Sequence, residues 1–186
     1  MMNHVDYEIN KELGECYLFM GEYDKARDYY RKAVECDAGM IDPYLGLAAV
    51  AVHKGDYDDA LSLYRKAHQV SPGEKSLAGM GMIEVEQGSY QEAFEHFSAA
   101  LGHNPGNMMA VNSLVQLGYV LNRLEDVLPR LEAALEPGDT PAVRYTLAAC
   151  LIAVGRENDA REHLEILLGE NPSHDDAKQL YAQLAA

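Results

Sequence analysis

The 186-residue sequence predicts an all-α fold, an α-solenoid of about five helix-turn-helix repeats followed by a C-terminal capping helix. The main observation is a six-residue motif that opens with glycine and closes with alanine. It recurs at a period of roughly 34 residues, at positions 21–26, 55–60, 88–93 and 155–160. A pair made of a large and a small residue precedes each motif, and a proline follows three of them, at Pro72, Pro105 and Pro172.

Each part of the motif has a physical reason. The glycine allows the left-handed backbone in which a first helix can end. An aromatic residue then opens the second helix in three repeats, at Tyr23, Tyr57 and Tyr90. The closing alanine lets two helices cross closely, and the later proline ends the second helix. The pattern therefore predicts two helices in every period.

These residues resemble the consensus of the tetratricopeptide repeat family, and the resemblance covers nearly the whole chain. It implies one right-handed array over residues 1–186, with repeats near 7–40, 41–73, 74–107, 108–140 and 141–172 and a capping helix at about 173–185. Ser173 and Asp176 have the spacing of a capping box, with Asp in place of the usual Glu or Gln. We therefore expect Ser173 to cap the last helix, and Tyr181 and Leu184 to face the last repeat.

The fourth repeat departs from the pattern. Asn122 replaces the turn glycine, which is tolerable because Asn visits the left-handed region more readily than most residues. Val127 replaces the small alanine, so we expect this helix pair to be spread apart. Pro129 lies where the second helix should be under way and lacks a backbone donor. It predicts a late start, a kink or a short break near Leu128. Two interpretations of the fourth repeat are open: it is a functional hinge, or it is a repeat whose sequence has diverged.

The resemblance implies that the first helix of each repeat lines a concave groove, and it carries a set of binding positions onto this chain. The set is Lys11, Leu18, Phe19, Leu45, Ala49, Val52, His53, Ala78, Met82, Asn112, Gln116, Tyr119, Tyr145, Ala149 and Ile152. Its middle is apolar, while the amides can donate to and accept from a peptide backbone. Tyrosines add large contact areas at low entropic cost, and His53 would make binding sensitive to pH. Contact with neighbouring helices is the alternative role for each position.

Some members of this family hold a partner's terminal carboxylate with a clamp of lysines, asparagines and an arginine. Lys11 and Lys75 stand at the two lysine positions, but Glu15, Gly46 and Gly79 occupy others. A chaperone tail ending in EEVD is therefore not the expected ligand. We expect an apolar or basic-amphipathic segment of a protein partner, bound extended or as a helix.

Charge and composition disfavour several other function classes. Fifteen Lys and Arg against thirty Asp and Glu give a formal net charge of −15, which repels the phosphates of nucleic acids. No apolar run reaches the ~20 residues of a membrane-spanning helix, and the first residues lack the features of a secretory signal. We therefore expect a cytoplasmic location and no membrane insertion. Nucleotide-binding, zinc-protease and serine-hydrolase motifs are absent, so we expect no enzyme activity, metal or cofactor.

The three cysteines are expected to be free thiols. Cys16, Cys36 and Cys150 are widely spaced and form no CxxC pair, which does not suit a disulfide framework or a zinc site. Cys16 and Cys150 occupy equivalent positions in their first helices, where other repeats carry Val50 or Ile83. Both are therefore predicted to be buried packing residues.

The sequence as a whole predicts an adaptor or assembly scaffold that binds a peptide segment of a partner in its groove. Two alternatives are open. One is self-association, in which a terminal helix of one molecule packs into the groove of another. The other is the repeat domain of a larger enzyme or regulator. The identity of the partner is not encoded in any motif that the chain carries.

Overall fold

A computed structural model describes residues 4–135 and 140–184, and those residues contain eleven helices and no strand. The helices are α1 His4–Phe19, α2 Tyr23–Cys36, α3 Asp42–Lys54, α4 Tyr57–Val70, α5 Glu74–Glu86, α6 Tyr90–His103, α7 Met108–Val120, α8 Leu124–Leu135, α9 Pro141–Ala153, α10 Glu157–Glu170 and α11 Asp175–Gln183. The all-α prediction is confirmed. Three predictions fall partly outside the described residues. They concern the end of the fourth repeat at 136–139, the last residue of the capping helix, Ala185, and residues 1–3 of the N-terminal segment that lacks a secretory signal.

The chain divides into two compact units, an N-terminal unit over Met1–His96 and a C-terminal unit over Phe97–Ala186. The N-terminal unit contains α1 to α5 and the first half of α6. The C-terminal unit contains the remainder of α6 and α7 to α11. Each is described by itself.

The turns inside the helix pairs follow the sequence pattern. The four motif glycines have φ between 76° and 79°, and Asn122 has a φ of 56°. This confirms that Asn122 takes the left-handed conformation of the glycine it replaces. Each second helix then begins two residues later, including α8 at Leu124. The motif alanines Ala26, Ala60, Ala93 and Ala160 are fully buried.

Helix α8 runs from Leu124 to Leu135 without interruption, so the predicted late start and break near Leu128 were wrong. Pro129 has no backbone N–H, so the helix loses the one hydrogen bond that residue 129 would donate to the carbonyl of Glu125. Pro129 and Glu125 are both exposed, so water can satisfy the carbonyl that loses its donor.

Val127 is fully buried on α8, opposite a glycine on α7. A Cβ atom built on Gly118 would lie 2.7 Å from Val127 Cγ2. The larger side chain of Val127 is therefore accommodated by the absence of a side chain on the facing helix.

Tyrosine rings lie against helical glycines in the N-terminal unit. The ring of Tyr30 lies on the backbone of Gly46, and the ring of Tyr64 lies on Gly79. A methyl group at either glycine would overlap the ring. Gly46 and Gly79 therefore allow a close approach between a helix backbone and a tyrosine ring.

The start of the capping helix differs from the prediction. Helix α11 begins at Asp175, and its N-cap is His174, whose Nδ1 accepts a hydrogen bond from the backbone N–H of Ala177 at 3.3 Å. The capping box of Ser173 and Asp176 was therefore wrong. The Ser173 hydroxyl instead donates to Asn171 Oδ1 at 2.8 Å, which ties Ser173 to the preceding turn.

The other end of α11 is anchored to α10, as expected for Tyr181 and Leu184. Tyr181 donates a hydrogen bond to Glu165 Oε1 at 2.8 Å. Arg161 donates to the carbonyl of Leu184 at 2.6 Å and lies 5.5 Å from the centre of the Tyr181 ring. These contacts hold the C-terminal end of the short helix against α10.

The cysteine prediction was right for Cys150 and wrong for Cys16. Cys150 is buried in the C-terminal unit, and burial raises the pKa of its thiol to about 11. Cys16 is exposed. Its equivalents Val50 and Ile83 are buried because a preceding helix pair packs on them, whereas no helix pair precedes α1 in the part of the chain that the structure describes.

Candidate partner-binding surfaces

The N-terminal unit has an open depression beside the turn between α1 and α2, where it meets the end of α3. It is lined by Glu15, Leu18, Phe19, Gly21, Tyr23, Tyr30 and His53, and we call it the Phe19–His53 depression. Three of the predicted binding residues, Leu18, Phe19 and His53, therefore lie together. Phe19 is the last residue of α1 and its exposed fraction is 95%.

The wall of this depression contains a stacked aromatic pair. The rings of Tyr23 and His53 lie 5.0 Å apart between centroids, at an interplanar angle of 13°. Tyr23 is the aromatic that opens α2, and the sequence reading had not placed it among the binding residues. His53 is exposed, and one face of its ring lies against the ring of Tyr23.

Beneath the wall, Tyr30 stays an uncharged phenol. Burial, and next the negative charge of Glu15, raise the pKa of its hydroxyl to about 12. Leu18 is only half-buried and packs on the core formed by Ala26, Tyr30, Leu47 and Val50. The floor of the depression is thus fixed by the core of the helix pairs beneath it.

Lys11 does not act as an isolated cation. Its Nζ lies 2.6 Å from Glu8 Oε2, and this hydrogen bond is the main reason that the pKa of Lys11 is raised. The ammonium also lies 5.8 Å from the centre of the Tyr7 ring. A partner carboxylate would have to compete with Glu8 for it.

The remaining predicted positions of the N-terminal unit vary in exposure. Leu45, Ala49 and Val52 are half-buried, and Val52 packs against the core formed by Ala51, Ala60 and Ile83. Met82 is exposed, whereas Ala78 has an exposed fraction of only 2%. Ala78 therefore offers a partner almost no surface.

In the C-terminal unit, three predicted residues form an exposed row on α7. Asn112, Gln116 and Tyr119 are spaced four and three residues apart, which places them on one face of the helix. Burial raises the pKa of the Tyr119 phenol, so its hydroxyl is protonated and can donate or accept. The side chain of Asn107 begins this helix by accepting from the N–H of Ala110 at 3.1 Å.

The predicted positions of α9 are less accessible. Tyr145 stacks on His174 with ring centroids 5.5 Å apart, so it contacts the residue that caps α11. Ala149 and Ile152 are half-buried. One face of the Tyr145 ring is therefore already in contact with His174 in the absence of a partner.

One polar pair was missed by the sequence analysis. Glu84 is almost fully buried, and its Oε2 lies 2.6 Å from Nδ1 of His96. The available signal was Glu84 itself, because an acidic residue in a helix row that is otherwise apolar requires a partner.

Within residues 4–135 and 140–184, no group of three or more His, Cys, Asp or Glu side chains is placed to hold a metal ion. Across the same described part, no helix is long and apolar enough to cross a membrane.

Comparisons with known proteins cover almost the whole chain. Family profiles described as tetratricopeptide repeat match residues 7–39, 39–101, 79–142 and 121–184. The chain is 34% identical to part of BBSome complex member BBS4 of Bos taurus, over 59% of this chain and 21% of that protein. It is 30% identical to part of Protein KINESIN LIGHT CHAIN-RELATED 2 of Arabidopsis thaliana, over 61% of this chain and 22% of that protein. The chain thus spans about a fifth of the length of these relatives.

Solved structures share the fold at low identity. YrrB, described as a TPR protein with an unusual peptide-binding site, is 19% identical with a TM-score of 0.61, over 91% of this chain and 89% of that chain. PilF of Pseudomonas aeruginosa is 22% identical with a TM-score of 0.65, over 97% and 83%. The first TPR of Spaghetti (RPAP3), bound to the HSP90 peptide SRMEEVD, is 22% identical with a TM-score of 0.61, over 64% and 96%.

Proposed function

Because the chain belongs to the tetratricopeptide repeat family of protein-interaction scaffolds, we propose that it binds a peptide segment of a partner protein at the Phe19–His53 depression. The observation that carries the proposal is the 95% exposed side chain of Phe19 at the edge of a depression. A large apolar side chain that is exposed to solvent beside a depression is typical of a binding site.

The energetics favour an apolar anchor. Apolar area removed from water contributes about 25 cal/mol per Å² before the costs of association. Phe19 and Leu18 supply such area, and the Tyr23–His53 stack provides a flat wall that is already ordered. An aliphatic or aromatic side chain of the partner would therefore fit between Phe19 and this wall.

The charges favour a basic segment around that anchor. Glu15 lines the depression, and Lys11 is already paired with Glu8. A Lys or Arg that flanks the anchor would be attracted to Glu15, and an acidic tail such as the one that RPAP3 binds would be repelled. The row of Asn112, Gln116 and Tyr119 on α7 is a second candidate contact surface in the C-terminal unit.

The proposal includes a cytoplasmic location and excludes nucleic acid, catalysis and a cofactor from the role of the chain. The net charge of −15 supports a basic partner and opposes a phosphate backbone. Self-association is the alternative, since the same exposed Phe19 would serve an interface between copies. Light scattering at increasing concentration separates the two, because a strict monomer contradicts self-association.

The test is selection of linear 12-residue peptides from a displayed library, followed by affinity measurement with the purified chain. We expect selected peptides to carry an apolar anchor flanked by Lys or Arg. Phe19→Ala and His53→Ala should weaken binding by at least about tenfold, the usual effect of a central contact. Ile166→Ala is the matched control, since it removes another exposed apolar side chain, from α10. Unchanged affinity of His53→Ala would overturn the proposed site.

A further inference from the structure

The outward face of α1 carries a second docking surface. We propose that Ile9, Glu12, Cys16 and Phe19, here called the α1 stripe, bind an amphipathic helix of a partner protein that presents a Lys or Arg to Glu12. The stripe is separate from the Phe19–His53 depression except for Phe19, which borders both.

The α1 stripe has the geometry of a helix-pairing seam. Its residues are spaced three, four and three apart, which is the spacing of the two seam positions of a heptad. All four are exposed, with exposed fractions of 50% for Ile9 and 95% for Phe19. Apolar side chains in such a row, left in water on a well-formed helix, are typical of a face that another helix covers.

The same positions in the next helix pairs show what this face does. Three of the four positions, those of Ile9, Glu12 and Cys16, are buried on both helices, as Pro43, Gly46 and Val50 on α3 and as Ser76, Gly79 and Ile83 on α5. The equivalents of Phe19, which are His53 and Glu86, are exposed. This is therefore the face on which helix pairs of this chain accept a neighbour. On α1 the same face is exposed.

Glu12 decides which neighbour fits. At its position α3 and α5 have Gly46 and Gly79, which receive the rings of Tyr30 and Tyr64. Glu12 fills the space that such a ring needs. A neighbouring helix pair with a tyrosine equivalent to Tyr30 or Tyr64 would bury the carboxylate of Glu12 under the tyrosine ring. Burying a carboxylate costs free energy unless a cation lies beside it.

A second copy of the chain fits poorly for a related reason. Pairing two α1 stripes in parallel places Glu12 against Glu12. Pairing them antiparallel, with Ile9 against Phe19, places Glu12 against Cys16. Both arrangements leave two carboxylates in an apolar seam that supplies no cation, because the stripe itself contains none. A foreign helix with one Lys or Arg at the matching seam position satisfies Glu12 and fixes the register.

The experiment uses a displayed library of 21-residue helices with Leu or Ile at the seam positions and one central seam position fully randomised. The targets are the whole chain and three variants, Glu12→Lys, Ile9→Asp and the control Glu92→Lys, which changes an exposed glutamate on α6. Because Ile9 and Glu12 are at the surface, the variants should keep the helicity and melting temperature of the parent. A circular dichroism melt checks this.

We expect Lys and Arg to be enriched at the randomised position with the parent chain and with Glu92→Lys. Asp and Glu should be enriched with Glu12→Lys, and Ile9→Asp should select nothing. The affinity of a selected lysine helix should fall at least tenfold for Glu12→Lys and recover when its lysine is changed to glutamate.

Three results would overturn the inference. They are failure to select any helix, a residue preference that Glu12→Lys leaves unchanged, or a dimer of the parent chain that Ile9→Asp abolishes. The charge exchange at Glu12 still decides the question if Ile9→Asp fails to fold. Because His53→Ala leaves the stripe intact, it separates this inference from the proposed function, whose site includes His53.

Discussion

Gly118 on α7 and Val127 on α8 form a complementary pair: a Cβ at residue 118 would lie 2.7 Å from Val127 Cγ2. At the position of Val127 the other four repeats have a buried alanine. At the position of Gly118 they have Tyr17, Ala51, Glu84 and Leu151, all of which are larger than glycine. The irregular fourth repeat thus exchanges the sizes of two facing residues and keeps its helix pair.

The pair predicts non-additive changes in stability. Gly118→Ala should destabilise by about 1–3 kcal/mol through overpacking, and Val127→Ala by about 2 kcal/mol through the cavity it leaves. The double variant should lose clearly less than the sum, because the new methyl group occupies the new cavity. Urea unfolding of the four proteins measures this. Strict additivity would contradict the contact.

The Tyr30–Gly46 contact predicts a second stability change. Gly46→Ala should destabilise by about 1–3 kcal/mol, since the methyl group overlaps the ring and either the ring or the helix must move. The control is Gly169→Ala on α10, where a Cβ meets no atom within 4 Å. That change should be neutral or stabilise by up to about 1 kcal/mol. Equal effects of the two substitutions in thermal unfolding would refute the close approach.

The cysteines should differ widely in reactivity. Exposed Cys16 should be alkylated rapidly at pH 8. Cys150 should react slowly, because it is buried and its pKa is raised to about 11, which leaves little thiolate. Timed iodoacetamide labelling followed by peptide mass spectrometry reads the two sites separately, with urea-unfolded protein as the reference. Labelling of native Cys150 at the unfolded rate would argue against its burial.

His163 on α10 should make stability depend on pH. Burial, and next the positive charge of Arg144, lower the pKa of its imidazole in the folded protein below the ordinary 6.5. The unfolded chain therefore binds the proton more readily. The contribution of this residue is fully present above about pH 6.5 and is lost as the pH falls toward the folded pKa. His163→Gln should reduce the stability lost between pH 7.5 and pH 5.5, as measured by urea unfolding. The same loss in both proteins would exclude His163 as a source.

Most of the helix pattern could be predicted because its causes are local. A glycine or asparagine at a left-handed turn, an aromatic residue two positions later and a proline after the second helix act through nearby backbone. These signals gave the positions of the turns and the starts of α2, α4 and α6. They failed at Ser173, whose hydroxyl donates to Asn171 in the preceding turn, because the helix begins one residue later than predicted and His174 is its N-cap.

The predicted binding residues were less predictable because exposure depends on what covers each helix. The resemblance to the family selected positions on the first helices, and the structure brings three of them, Leu18, Phe19 and His53, to one depression. The resemblance could not show that Tyr23 stacks on His53, or that Ala78 is buried. The stack joins side chains from two different helices, and the burial of a residue is a property of the folded chain.

The sequence by itself determined that this chain folds as helical hairpins, each with one turn residue in the left-handed backbone conformation. Those features depend on backbone preferences within a few residues. Only the tertiary structure decided that Cys16 is exposed while Cys150 is buried, that Glu84 has His96 as its partner, and that Gly118 makes room for Val127. Each of these joins or covers residues from different helices, and a repeating pattern of single residues does not encode which side chain meets which across a helix interface.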